Sequence, residues 1–148
     1  MSVSAIHTDA GVSLLEGFGI KDPLGHYDYY TNSGANQPGC VDNPTQRTMK
    51  SIKNLKVSCS HHRAVDLISD FDYHENDCLP IAYGCPNYGT FLEGRCAKCG
   101  TGTELTCREM ALEYDLLHKN PNIYNVSKFY IANNPVKPFH GEKNNFLK

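Results

Sequence analysis

The sequence predicts a few strands and one helix that do not by themselves complete a familiar fold, in a chain rich in loops and in cysteine. Three observations predict it. A helical period begins near residue 60, short aromatic or apolar runs on either side read as strands, and seven cysteines fall mostly among turn residues. More than half of the 148 residues read as connections. That is unusual for an independent domain of this length and less so for one end of a larger sheet protein.

The helix is the clearest element. Ala64, Leu67, Ile68 and Phe71 recur at spacings of three and four, which is one helical face. Ser60 stands just before the period and suits an N-cap, predicting a helix over 60–71. Residues 3–7 read as a first strand. Residues 11–25 read as a loop punctuated by Gly11, Gly17, Gly19, Pro23 and Gly25. The aromatic run His26-Tyr27-Asp28-Tyr29-Tyr30 reads as a second strand. Residues 31–40 carry turn chemistry, ending in Gln37-Pro38-Gly39-Cys40. Residues 41–58 are polar, with Arg47, Lys50, Lys53 and Lys56 and no clear period. From Asp72 onward the chain reads as loop, with a short helix at 110–118, a strand at 128–132 and a polar tail from Gly141.

Bulk properties exclude some functions. The net charge is -2 and no basic stripe is present, which argues against nucleic acid as a partner. No apolar run approaches the ~20 residues of a membrane-spanning helix. Residues 1–9 lack the basic start and apolar middle of a signal peptide. Seven cysteines are many for a reduced cytosolic protein, and they point to disulfides in an oxidising compartment or to a metal site. The triplet Asn125-Val126-Ser127 is a glycosylation sequon compatible with secretion.

The cysteines are Cys40, Cys59, Cys78, Cys85, Cys96, Cys99 and Cys107. Cys96-Ala97-Lys98-Cys99 is a CxxC knuckle, and Cys85 and Cys107 can complete a four-thiolate zinc site with it. Zinc ribbons usually show two such knuckles. A thioredoxin-type role for the CxxC requires a βαβ context, which the pattern lacks. Disulfides are the remaining reading; a Cys40–Cys59 bridge closes the polar 41–58 segment into a loop and contributes roughly 3 kcal/mol in the chain-entropy model. The seventh thiol is unexplained in each reading.

Chemistry gathers at Cys59-Ser60-His61-His62-Arg63. His61 falls in the first helical turn, where the positive end of the helix dipole suits a neutral ring and hence a general base. An exposed polar residue at a helix start accounts for the same pattern.

Taken in order, the motifs resemble a known family. Ile6-His7-Thr8-Asp9-Ala10, Gly17-Phe18-Gly19, Leu24-Gly25-His26-Tyr27-Asp28-Tyr29-Tyr30, Asn32-Ser33-Gly34, Gln37-Pro38-Gly39-Cys40 and Cys59-Ser60-His61-His62-Arg63 are similar to those of the pancreatic-lipase family of animal secreted lipases and phospholipases A1. The spacing Cys85-x10-Cys96-x2-Cys99-x7-Cys107-x2-Met110 resembles that family's cystine-rich segment, and Lys128-Phe129-Tyr130-Ile131 its closing strand.

The resemblance implies the C-terminal portion of an α/β-hydrolase domain with an incomplete sheet, covering residues 1–148. It implies a lid loop at 41–58 and a cystine-rich segment at 78–107. It implies the pairs Cys40–Cys59, Cys85–Cys96 and Cys99–Cys107, with Cys78 left over. Such an enzyme uses Ser, Asp and His in that chain order, with the Ser on a G-x-S-x-G elbow. No such elbow is present; Gly11-Val12-Ser13-Leu14-Leu15 lacks the final glycine. The family's Ser, Asp and calcium ligands all lie upstream of the matched motifs, so only the triad His carries over, as His61. The implied activity is hydrolysis of lipid esters by a secreted protein, with a lipid ester or lipid surface as partner and no cofactor or metal ligand in this chain. A non-catalytic relative serving as a storage or lipid-binding protein, and a zinc-binding module, are the alternatives.

Overall fold

The computed structural model describes residues 3–11, 17–40, 59–73, 80–100, 106–110 and 128–136. Five strands form one mixed sheet: β1 Ser4–His7, β2 Tyr27–Thr31, β3 Ile81–Gly84, β4 Cys107–Glu109 and β5 Lys128–Ile131. Their order is β1-β2-β5-β3-β4. β1, β2 and β5 run parallel, while β3 is antiparallel to both β5 and β4. Among the described residues two helices accompany them, α1 Cys59–Tyr73 and α2 Tyr88–Leu92, and a 3-10 turn, Asn32–Gly34, follows β2.

β2 is buried along its whole length. That fits a parallel strand paired on both sides and covered on both faces. Its alternating side chains divide the core in two. Tyr27 and Tyr29 join Phe129, Ile131, Ala82, Met110 and Leu67 of α1 on one face. Tyr30 joins Tyr130, Cys85 and Phe91 of α2 on the other, with Tyr83 and Tyr88 packed against them. The first face is closed by a long helix, the second by a five-residue helix and a disulfide. Asn87 caps α2, its side chain accepting from the backbone N–H of Thr90 at 2.9 Å.

Three disulfides are present: Cys40–Cys59, Cys85–Cys96 and Cys99–Cys107, with Cα separations of 5.5, 5.8 and 4.9 Å. They are the pairs that the family resemblance implies. The zinc alternative fails on this point, because Cys85, Cys96, Cys99 and Cys107 carry no thiolate while their sulfurs are joined. The two cysteines of the CxxC belong to different bridges, so that motif is not a redox pair either.

The structure departs from the sequence reading in four places. The stretch after Asp72 is not simply loop: it contains β3, α2 and β4. These elements are three to five residues long, and two of them are fixed by bridges at their ends, so no long periodicity announces them. Met110 is not helical; its backbone N–H donates to Pro80 O and extends the sheet edge. Residues 111–118 lie outside the described residues, as do the proposed lid 41–58, Ser13, Cys78 and Asn125. Ser60 is not the N-cap, because α1 already includes Cys59 and the Ser60 side chain is fully buried inside it. The buried stripe of α1 is Ser60, Arg63, Leu67 and Asp70, while Ala64 and Ile68 of the expected apolar face are only half-buried. The Phe71 side chain lies outside the description.

Candidate functional site

Parallel strands bring their carboxyl ends to one edge, and in open α/β sheets ligand sites lie beyond that edge. Here the edge carries Thr8 and Asp9 after β1, Thr31 and the 3-10 turn after β2, and Asn133 after β5. Strand ends leave carbonyls without sheet partners, and buried carbonyls require donors. Gln37 supplies them. Its Nε2 donates to Thr8 O at 2.9 Å and to Thr31 O at 2.8 Å. Its Oε1 accepts from Thr31 Oγ1 and from Asn133 Nδ2, both at 3.1 Å. Asn32 Nδ2 in turn donates to Asn133 Oδ1. One buried amide therefore ties the ends of all three parallel strands.

The same residue reaches α1. The Gln37 backbone N–H donates to Ser60 Oγ at 3.0 Å. Two residues on, Gly39 adopts φ +77°, and a Cβ there would press on Pro135 O at 2.5 Å. Only glycine meets both demands without strain. Cys40 then bonds to Cys59, the first residue of α1. Arg63, one turn along the helix, donates from Nη2 to Pro38 O at 3.2 Å and from Nη1 to Asn134 O at 3.3 Å. Burial pushes its guanidinium below the ordinary arginine range, and Asp66 partly offsets this. Hydrogen bonds, a bridge and a buried cation thus hold the start of α1 against the strand ends.

His61 stands on this clamped start. Its side chain is exposed, with Phe18 edge-on at 6.1 Å and His62 edge-on at 6.3 Å. Phe18 is positioned by the buried Asp9, whose Oδ2 accepts from the Phe18 backbone N–H at 3.0 Å. The Asp9 carbonyl accepts from Gly19 N–H at 2.9 Å and crowds any Cβ at Gly17. Among the described residues, no hydrogen-bonded serine and carboxylate complete a triad with His61.

Behind the rim, β1 and β2 are joined by a second polar pair. His7 Nε2 lies 2.8 Å from Asp28 Oδ1, and its Nδ1 lies 2.8 Å from Ile20 O. Asp28 also accepts from the backbone N–H of Leu24 and Gly25. His7 stacks on Tyr30 with ring centroids 4.3 Å apart. Burial, and next the charge of Asp28, push the Tyr30 phenol up to about 12.

A family model described as Lipase matches residues 1–139. The chain belongs to the Lipase family. It is 37% identical over 110 residues to human phospholipase A1 member A, covering 74% of this chain and 21% of that protein. It is 31% identical over 147 residues to mouse hepatic triacylglycerol lipase, covering 93% of this chain and 27% of the relative. Zebrafish lipase member H is 32% identical over 139 residues, covering 93% and 27%. The chain therefore spans about a quarter of the length of these Lipase-family relatives, or less.

The six cysteines expected in bridges are the six that the structure joins, and His61, expected as the catalytic histidine, lies exposed in the first turn of α1. Sequence reasoning did not single out Gln37, Phe18 or the His7–Asp28 pair. An available signal was Asp28, an acid inside an otherwise aromatic strand, which demands buried donors. Gln37 read only as turn chemistry, because its partners are up to 96 residues away.

Proposed function

We propose that this chain forms the C-terminal part of an α/β-hydrolase domain in a secreted carboxylic ester hydrolase acting on lipid esters. Residues 1–148 make up this partial domain, with 41–58 as its lid and 78–107 as its cystine-rich segment. His61 is the general base: it takes the proton of a serine hydroxyl during attack on the ester carbonyl and returns it to the leaving alcohol. A carboxylate orients the ring, and backbone N–H groups hold the oxyanion. The serine, the carboxylate and the oxyanion donors come from parts of the domain that these 148 residues do not contain. The partner is a lipid ester or a lipid surface. Three disulfides suit an oxidising, extracellular location, and no described helix is long and apolar enough to cross a membrane.

One observation carries this reading. In a Lipase-family chain, an exposed histidine stands at the start of α1, beyond the carboxyl ends of the parallel strands, on a helix start clamped by Gln37, Arg63 and the Cys40–Cys59 bridge. The test is an assay of the full-length protein with a short-chain p-nitrophenyl ester and with a phospholipid. His61→Ala is expected to lower turnover by on the order of 10⁴-fold or more with the fold intact. Residues 1–148 alone are expected to show only imidazole-like background. Saturable hydrolysis by residues 1–148 that His61→Ala removes would place the whole site in this chain and overturn the reading. A full-length protein that binds lipid without hydrolysing it would mark a non-catalytic relative.

A further inference from the structure

The Cys40–Cys59 bridge is chemically lopsided. Cys59 is exposed at the first position of α1, while Cys40 is half-buried. Arg63 Nη2 lies 3.6 Å from Cys40 Sγ. That guanidinium is already anchored on Pro38 O and Asn134 O, so it need not move to serve the sulfur. The nearby Asp66 carboxylate is 4.0 Å from the opposite nitrogen, Nε, and is 45% exposed, so water weakens its claim on the cation.

We propose that Cys59 is a thiol-exchange site, at which a small thiolate forms a mixed disulfide and Cys40 departs as a thiolate held by Arg63. The step balances. The attacking thiolate forms a bond to Cys59 Sγ, the Cys59–Cys40 bond breaks, and its electron pair leaves on Cys40 Sγ. One negative charge enters and one is released, with no other oxidant or reductant. Exchange is faster when the leaving thiol is the more acidic, and a neighbouring arginine makes a thiol more acidic.

One effect opposes this direction. Cys59 sits at a helix N-terminus, which also favours a thiolate there. The dipole provides only about half an elementary charge, spread over several N–H groups at an exposed position. Arg63 brings a whole charge, buried and in contact. Access favours the same outcome, since Cys59 is the more exposed residue of the bridge. The other bridges lack the combination. Cys85 is buried in the aromatic cluster. Cys99 is exposed, but its partner Cys107 precedes Arg108, whose guanidinium lies 3.8 Å over the Tyr27 ring.

The exchange site lies two residues before His61. Opening the bridge therefore removes one of the clamps on the start of α1. Only this consequence rests on the proposed hydrolase reading; the exchange chemistry stands apart from it.

The test uses the full-length protein, produced in an oxidising compartment, with its free thiols first blocked by N-ethylmaleimide. Limiting reduced glutathione is added, the reaction is stopped early, freed sulfurs are capped with iodoacetamide, and peptides are mapped by mass spectrometry. Glutathione is expected on Cys59 and iodoacetamide on Cys40, with a partition of about tenfold over the reverse labelling. The partition is a ratio within one bridge, so it does not depend on how often the bridge opens. It is expected to survive Arg63→Lys and to collapse in Arg63→Met and in urea. An even partition in the native chain, glutathione on Cys40, or earlier reaction at either other bridge would overturn the proposal.

Discussion

The strand-end rim and the aromatic side of the sheet are built on opposite principles. At the rim, Gln37, Thr31, Asn133, Ser60 and Arg63 are held by directed hydrogen bonds. On the α2 side, Tyr30, Tyr88, Phe91 and Tyr130 pack ring on ring, with centroids 5.6 to 6.1 Å apart. Ring packing is tolerant in direction and scales with buried area. Hydrogen bonds fix geometry but contribute less net stability, and losing one partner inside the protein leaves a costly orphan. The aromatic side therefore suits holding the sheet together. The rim suits holding a helix start, and the side chain on it, in one place.

Substitutions can break this contrast or sharpen it. The largest stability effect is expected from Phe129→Ala. Phe129 is fully buried among Tyr27, Tyr29 and Leu67 on the central strand β5. Truncation costs roughly 3–5 kcal/mol and lowers cooperative unfolding of both regions together. Urea denaturation measures it; a loss below about 1 kcal/mol would show that the sheet does not depend on this packing.

Gln37→Leu comes next, at roughly 2–4 kcal/mol, because it strands the buried carbonyls of Thr8 and Thr31 without a side-chain donor. Its damage is expected to be local. Hydrogen exchange should quicken at the start of α1 and at the strand ends while β3 stays protected. Uniform loosening across the sheet would dissolve the distinction between the two regions.

The smallest effect concerns pH. Tyr30 is raised to about 12 by burial and by Asp28, whereas an unfolded tyrosine ionises near 10. The folded state thus favours the neutral phenol. Its contribution is complete below about pH 10 and is lost as pH rises through about 12. Stability should fall across that window, and Tyr30→Phe should flatten part of the fall. Burial raises Tyr88 and Tyr130 in the same sense, so some slope will remain. An unchanged slope in Tyr30→Phe would remove Tyr30 from the account.

How much of this was legible follows from distance along the chain. The α1 period, the β1, β2 and β5 runs and the Cys59-x-His61-x-Arg63 spacing are local, and local pattern carries them. β3, α2 and β4 are three to five residues long and draw their stability from neighbours and bridges, so they left little trace. Ser60 shows how a correct local rule can lose. Its type suits an N-cap, but a buried position one residue inside α1 lets it accept from Gln37 instead.

By itself, the sequence determined the family, the helix that bears His61, the aromatic strands and the supply of cysteines, because each is written in neighbouring residues or short spacings. Tertiary structure alone decided that Gln37 would join three strand ends, that Asp9 would set Phe18 edge-on to His61, and that Arg63 would lie beside one sulfur of one bridge. Each of those depends on a directed contact between segments that only the parallel crossing of β1, β2 and β5 and the docking of α1 bring together.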